Sequence, residues 1–79
     1  MNEIRPDERH NILNNHNFFD EETLCFWYNK INKRLDYLNP LFDEIKLKGL
    51  DLKIISKELN QEVFEITELL KILEKYKFN

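Results

Sequence analysis

The sequence predicts an all-α fold, and three observations predict it. The chain of 79 residues holds one Gly and two Pro, too few for the tight turns that an all-β protein needs. Its apolar residues recur at three- and four-residue steps over long stretches, the period of one helix face. Capping and stop residues fall where those stripes begin and end. Together they predict a single domain over 1–79, a small bundle of about five helices. Residues 5–38 would form an N-terminal helical part and residues 39–77 a three-helix core.

Pro6 followed by Asp7 and Glu8 marks the first start. Proline suits the first turn because its missing N–H has no intrahelical partner there, and acids favour the positive end of the helix dipole. A short helix over Pro6–Asn15 follows, with Ile12 and Leu13 as its apolar contacts. The Asn14-Asn15-His16-Asn17 cluster ends it. Asp20, ahead of Glu21 and Glu22, caps the next helix, with Phe18 or Phe19 packing on its first turn as a staple. Leu24, Trp27, Tyr28, Ile31, Leu35 and Leu38 then form one continuous stripe, the spine of the fold.

Asn39-Pro40 reads as a new start, a capping Asn with Pro at the first helical position. Leu41, Phe42 and Ile45 supply its apolar face, and Gly49 stops it, since glycine best tolerates the left-handed conformation past a helix end. Asp51 caps a fourth helix carrying Leu52, Ile55 and Leu59. A break at Asn60-Gln61 leads to the last helix, to about Lys75, striped by Val63, Ile66, Leu69, Leu70, Leu73 and Tyr76.

Composition excludes several classes. Apolar content of 42% with 34% charged residues suits a folded domain rather than a disordered one. Cys25 is the only cysteine, so neither an intramolecular disulfide nor a cysteine-rich zinc site is available. The opening MNEIRPDERH lacks the apolar core of a secretory signal. No apolar run approaches the roughly 20 residues of a membrane span. The expectation is an intracellular, cytoplasmic, soluble protein off the membrane. One glycine makes no phosphate-cradling loop. His10 and His16 read as surface residues, Cys25 as a small core hydrophobe, and the acid pairs Glu21-Glu22 and Asp43-Glu44 point different ways on a helix. No enzyme activity, cofactor or metal is expected.

The net charge of −3 is unevenly spread: −4 over residues 1–22, +3 over 23–57 and −2 over 58–79. Phe26-Trp27-Tyr28 followed by Lys30, Lys33 and Arg34 has the make-up of a stacking platform for single-stranded nucleic acid, but the helical period puts Trp27 and Tyr28 on the core stripe. Phe26 falls off it. It packs on the first helix or joins an exposed patch. Phe42 and Phe64 are also awkward, with Phe64 directed away from the main seam.

Residues Ile54–Leu70 resemble the helix-turn-helix of many bacterial repressors. Ser56 stands where the family wants a small residue, Leu59 where it wants an apolar anchor, Asn60 at the turn, and Ile66 with Leu69 or Leu70 inside the second helix. With Pro40–Lys48 ahead of it, this is also similar to the three-helix core of winged-helix and SWIRM-type domains, whose closing helix ends in a phrase like Leu73 to Tyr76. The resemblance implies a tri-helical core and, in repressors, DNA binding. Two departures oppose a DNA-reading role. Gln61 replaces the usual apolar residue, and Glu62, Glu65 and Glu68 occupy the outward face of the would-be recognition helix, where carboxylates repel phosphate.

The favoured expectation is therefore a non-enzymatic regulatory or adaptor protein that binds another protein. Glu62, Phe64, Glu65 and Glu68 form its candidate contact surface, and a homodimer through the spine helix is plausible on the apolar area available. The alternative is a helix-turn-helix transcriptional regulator gripping DNA through Lys46, Lys48, Lys53 and Lys57.

Overall fold

The computed structural model describes residues 3–49 and 57–76. Among them there are three α-helices: α1 (Pro6–Asn15), α2 (Glu21–Leu47) and α3 (Lys57–Glu74). One turn of 3-10 helix, His16–Phe18, joins α1 to α2. The described residues contain no strand. The all-α class holds, and the count of about five helices does not.

Two expected breaks are absent among the described residues. Asn39-Pro40 does not start a helix; Pro40 lies inside α2. An interior proline removes the N–H that would serve the Asp36 carbonyl and typically costs about 3 kcal/mol. Here Asp36, Asn39 and Pro40 are all exposed, so water reaches the freed carbonyl. Leu38 before the proline and Phe42 after it both pack on one core, and that shared packing carries the helix through. Asn60-Gln61 does not break α3 either. Both residues are exposed, while Leu59 and Val63 on either side pack on the same core, so tertiary burial overrides a weak local preference. The turn that the helix-turn-helix resemblance places at Asn60 is a turn of α3 instead. Asp51, Leu52, Ile55 and Ser56, assigned to a fourth helix, lie outside the described residues.

The other boundaries follow from the residues that announce them. Pro6 opens α1, and the Glu8 carboxylate reaches back to the Arg5 N–H at 3.0 Å. Arg5 offers no side-chain acceptor to complete a reciprocal cap. Asp20 accepts from the Thr23 N–H at 2.8 Å and opens α2. Gly49, at φ 68°, sits just past Lys48 and donates its N–H to the Lys46 carbonyl, which ends α2.

α3 packs on both α1 and α2. Ile12 of α1, Ile31 of α2 and Ile66 and Leu73 of α3 have no exposed surface, and each such side chain stabilises the fold by about 1.5–3 kcal/mol. Ile4, ahead of α1, joins them at 1% exposure. Leu13, expected in the core, is 51% exposed. At the far end, His16 Nδ1 and the Asn17 side chain both meet the Tyr76 hydroxyl, tying the 3-10 turn to the end of α3.

Charged side chains complete the centre. Glu62 of α3 is buried and takes a two-bond grip from Arg34 of α2, Nε–Oε2 2.8 Å and Nη2–Oε1 3.0 Å. The same Oε2 accepts the Ile4 backbone N–H at 2.9 Å. Arg9 of α1, also buried, donates to the Ile4 carbonyl at 2.6 Å and to Glu65 Oε1 at 3.2 Å. Both main-chain groups of Ile4 are thus held by side chains, and one carboxylate links the N-terminal segment, α2 and α3. The hydrogen bond to Glu62 raises the Arg34 pKa above its ordinary value, against the opposing effect of burial, so the guanidinium stays charged.

Removing one partner of such a pair strands the other charge. Glu62→Ala is expected to lower the unfolding free energy by about 3 kcal/mol, measured by urea denaturation. Glu62→Gln, which keeps an acceptor for the Ile4 N–H, should cost clearly less. Equal losses in the two variants would show that the Ile4 contact contributes nothing.

Acid should loosen the helix starts. Partial burial pushes the Glu8 carboxyl up, but the Arg5 N–H and then Lys30, at 3.1 Å, outweigh it and hold the group below its ordinary 4.5. Thr23, by its side chain first and its N–H second, holds Asp20 below 3.8. Depressed carboxylates stabilise the fold fully above their unfolded values, and that stability is lost as pH falls through the lower folded values. The thermal midpoint should therefore hold down to about pH 4.5 and fall below it, with a shallower fall in Glu8→Gln. An unchanged slope in that variant would remove Glu8 from the account.

Candidate functional site

A mainly apolar groove lies between α1 and α3. Its apolar lining comes from Leu13 of α1 and from Phe64, Leu69 and Ile72 of α3, and its polar lining from Arg9, His10, Glu65 and Glu68. The helical period explains the grouping. Arg9 and Leu13 are one turn apart on α1, and Phe64, Glu68 and Ile72 follow at four-residue steps on α3. Leu13 and Phe64 face solvent at 51% and 69% exposure. The open space is about 140 Å³. Sites for organic cofactors and drug-sized ligands run to roughly 300–1,000 Å³, so this groove has room for one or two side chains.

The expected contact residues divide here. Phe64, Glu65 and Glu68 come together at the groove. Glu62 does not: an outward position was expected, and its carboxylate is instead buried against Arg34 and the Ile4 N–H. It lies four residues before fully buried Ile66, on the inward face of α3. Glu65 is partly covered and paired with Arg9, while Glu68 is exposed and lies 3.5 Å from Lys71. Of the lysines assigned to DNA, Lys46 is exposed in the last turn of α2, and Lys48 pairs with Glu44 at 2.8 Å. Lys57 is exposed at the first position of α3, and Lys53 lies outside the described residues.

A second surface runs along α2. Phe26 joins an exposed patch, at 56% exposure, and meets Trp27 edge to face with ring centroids 5.1 Å apart. Lys30 Nζ stands 5.9 Å from the Phe26 ring and 5.2 Å from the Trp27 ring, and also pairs with Glu8. Lys33 is exposed one turn further on, and Arg34 lies over the Tyr37 ring at 5.7 Å. Trp27 and Tyr28 are half-buried against the core, as their place on the stripe predicts.

Among the described residues no cluster of three or more His, Cys, Asp or Glu is placed to hold a metal ion. None of the described helices is long and apolar enough to cross a membrane. Sequence reasoning missed the charged centre of Ile4, Arg9, Arg34 and Glu62. The signal was present: Arg9, Arg34 and Glu62 each lie three or four residues from a fully buried isoleucine. Compared with protein-family models, curated proteins and solved structures, the chain matches none.

Proposed function

We propose that this chain is a non-enzymatic adaptor or regulator, acting inside the cell, that binds another protein through the groove between α1 and α3. The observation that carries this reading is that two exposed apolar side chains, Leu13 and Phe64, line one groove together with Glu65 and Glu68. Exposed apolar surface bordered by polar residues marks interaction sites. A partner segment that buries one or two apolar side chains in the groove and sets a Lys or Arg beside the two glutamates satisfies both parts of it. Both glutamates of the groove are held in ion pairs, Glu65 with Arg9 and Glu68 with Lys71, an arrangement for holding a surface rather than for acid–base chemistry. The reading does not rest on a helix-turn-helix, because α3 is continuous through Asn60-Gln61.

A photo-cross-linking residue at Leu13 in the native cell, followed by pull-down with and without nuclease, tests it. A protein cross-linked at Leu13 should be captured in both conditions and lost in Phe64→Ala. Phe64 is exposed, so this change should alter stability by no more than about 0.5 kcal/mol. Capture that disappears with nuclease would replace the proposal with the DNA-binding alternative. Capture that is indifferent to Phe64 would remove the groove from it.

A further inference from the structure

Two glutamates of the groove and two lysines of the aromatic ridge on α2 are opposite in charge and share one spacing. Along α3, Glu65, Glu68 and Ile72 follow at steps of three and four residues. Read backwards along α2, Lys33, Lys30 and Phe26 follow at the same steps. All helices rise about 1.5 Å per residue, so two such stripes laid antiparallel stay in register. Lys33 then stands opposite Glu65, Lys30 opposite Glu68, and Phe26 opposite Ile72 at the groove. The sizes agree as well. The groove offers about 140 Å³, and a cavity of about 150 Å³ accepts a benzene ring.

We propose that the occupant of the groove is a second copy of this chain, which inserts Phe26 and sets Lys30 and Lys33 on Glu68 and Glu65. This rests on the reading of the groove as a docking surface and names its occupant. Phe26, Lys33 and Glu68 are exposed, and Lys30 and Glu65 are partly so, at 28% and 30% of their side chains. The internal pairs need not break. An ammonium has three donors and each carboxylate oxygen two lone pairs, so Lys30 can keep Glu8, Glu65 can keep Arg9 and Gln61, and Glu68 can keep Lys71. Ridge and groove are different surfaces, so the contact is heterologous: each copy presents a ridge to one neighbour and a groove to another. A contact built on a single helix face falls below the roughly 1,200 Å² of stable complexes. The association is therefore weak, concentration-dependent and weakened by salt. It also covers Leu13 and Phe64, so self-association competes with any foreign partner for the groove.

Sedimentation velocity of the full chain from about 1 µM to 1 mM reads this out. Average mass should rise with concentration and fall with added salt. Lys33→Glu and Glu68→Lys change exposed residues, and circular dichroism should find both folded. Each should weaken association by about tenfold or more. Mixing the two variants is the decisive arm. Lys33→Glu retains an intact groove and Glu68→Lys an intact ridge, so an equimolar mixture should form a one-to-one dimer that grows no further. A wild-type chain that stays monomeric at the highest concentration overturns the proposal. So do variants that associate like wild type, or a mixture that forms no dimer. A monomeric wild type that still captures a protein through Leu13 and Phe64 removes the second copy and leaves the groove as a docking site. Loss of that capture as well would remove both.

Discussion

The carboxylate of Glu62 is the constraint on which this architecture depends. It takes two bonds from Arg34 and one from the Ile4 N–H. An unpaired Glu62 or Arg34 charge, or an unbonded Ile4 N–H, would be expensive in a site this covered. Arg9 closes the arrangement from α1 by holding the Ile4 carbonyl. Ile4, ahead of α1, is consequently part of the core, as buried as Leu38. A 79-residue chain has a small interior. Recruiting its N-terminal segment adds one apolar side chain and satisfies every polar group that this requires: no buried side-chain N or O among the described residues lacks a partner.

That network also positions the groove. Arg9 reaches inward to Ile4 and sideways to Glu65, so it ties α1 to α3 beside the groove that Leu13 and Phe64 line. Burial of Ile12 next to it turns Leu13 outward. The exposed apolar pair is thus a consequence of how the core is satisfied, and it is the surface left over for a partner. On the other side of α1, the Glu8–Lys30 pair ties α1 to α2 beside Phe26 and leaves that ring exposed. Docking groove and aromatic ridge flank the same short helix.

Much of the fold was legible in the sequence where a local rule met a single residue. Pro6, Asp20 and Gly49 mark real helix ends, and the stripes of α2 and α3 mark the faces that are buried. Asn39-Pro40 and Asn60-Gln61 misled because local preferences, about 3 kcal/mol at the proline and less at Asn60, compete with tertiary burial on both sides of each site. The interaction surface was half legible. Phe64 stood out as an apolar residue off the stripe, but Leu13 read as core because its neighbour Ile12 is core. Glu62 has the charge of a surface residue but the place of an inward one, four residues before Ile66. A carboxylate on the buried stripe of one helix, with arginines on the buried stripes of two others, was the available sign of an internal ion pair.

Native-state hydrogen exchange at the Ile4 amide tests the central role of Glu62 most directly. If the Glu62 bond holds the N-terminal segment as part of the core, that amide exchanges only as the whole domain opens, with protection close to that of Ile66. The protection then disappears in Glu62→Ala. Exchange of the Ile4 amide at the rate of a free chain end, while Ile66 stays protected, would contradict the account.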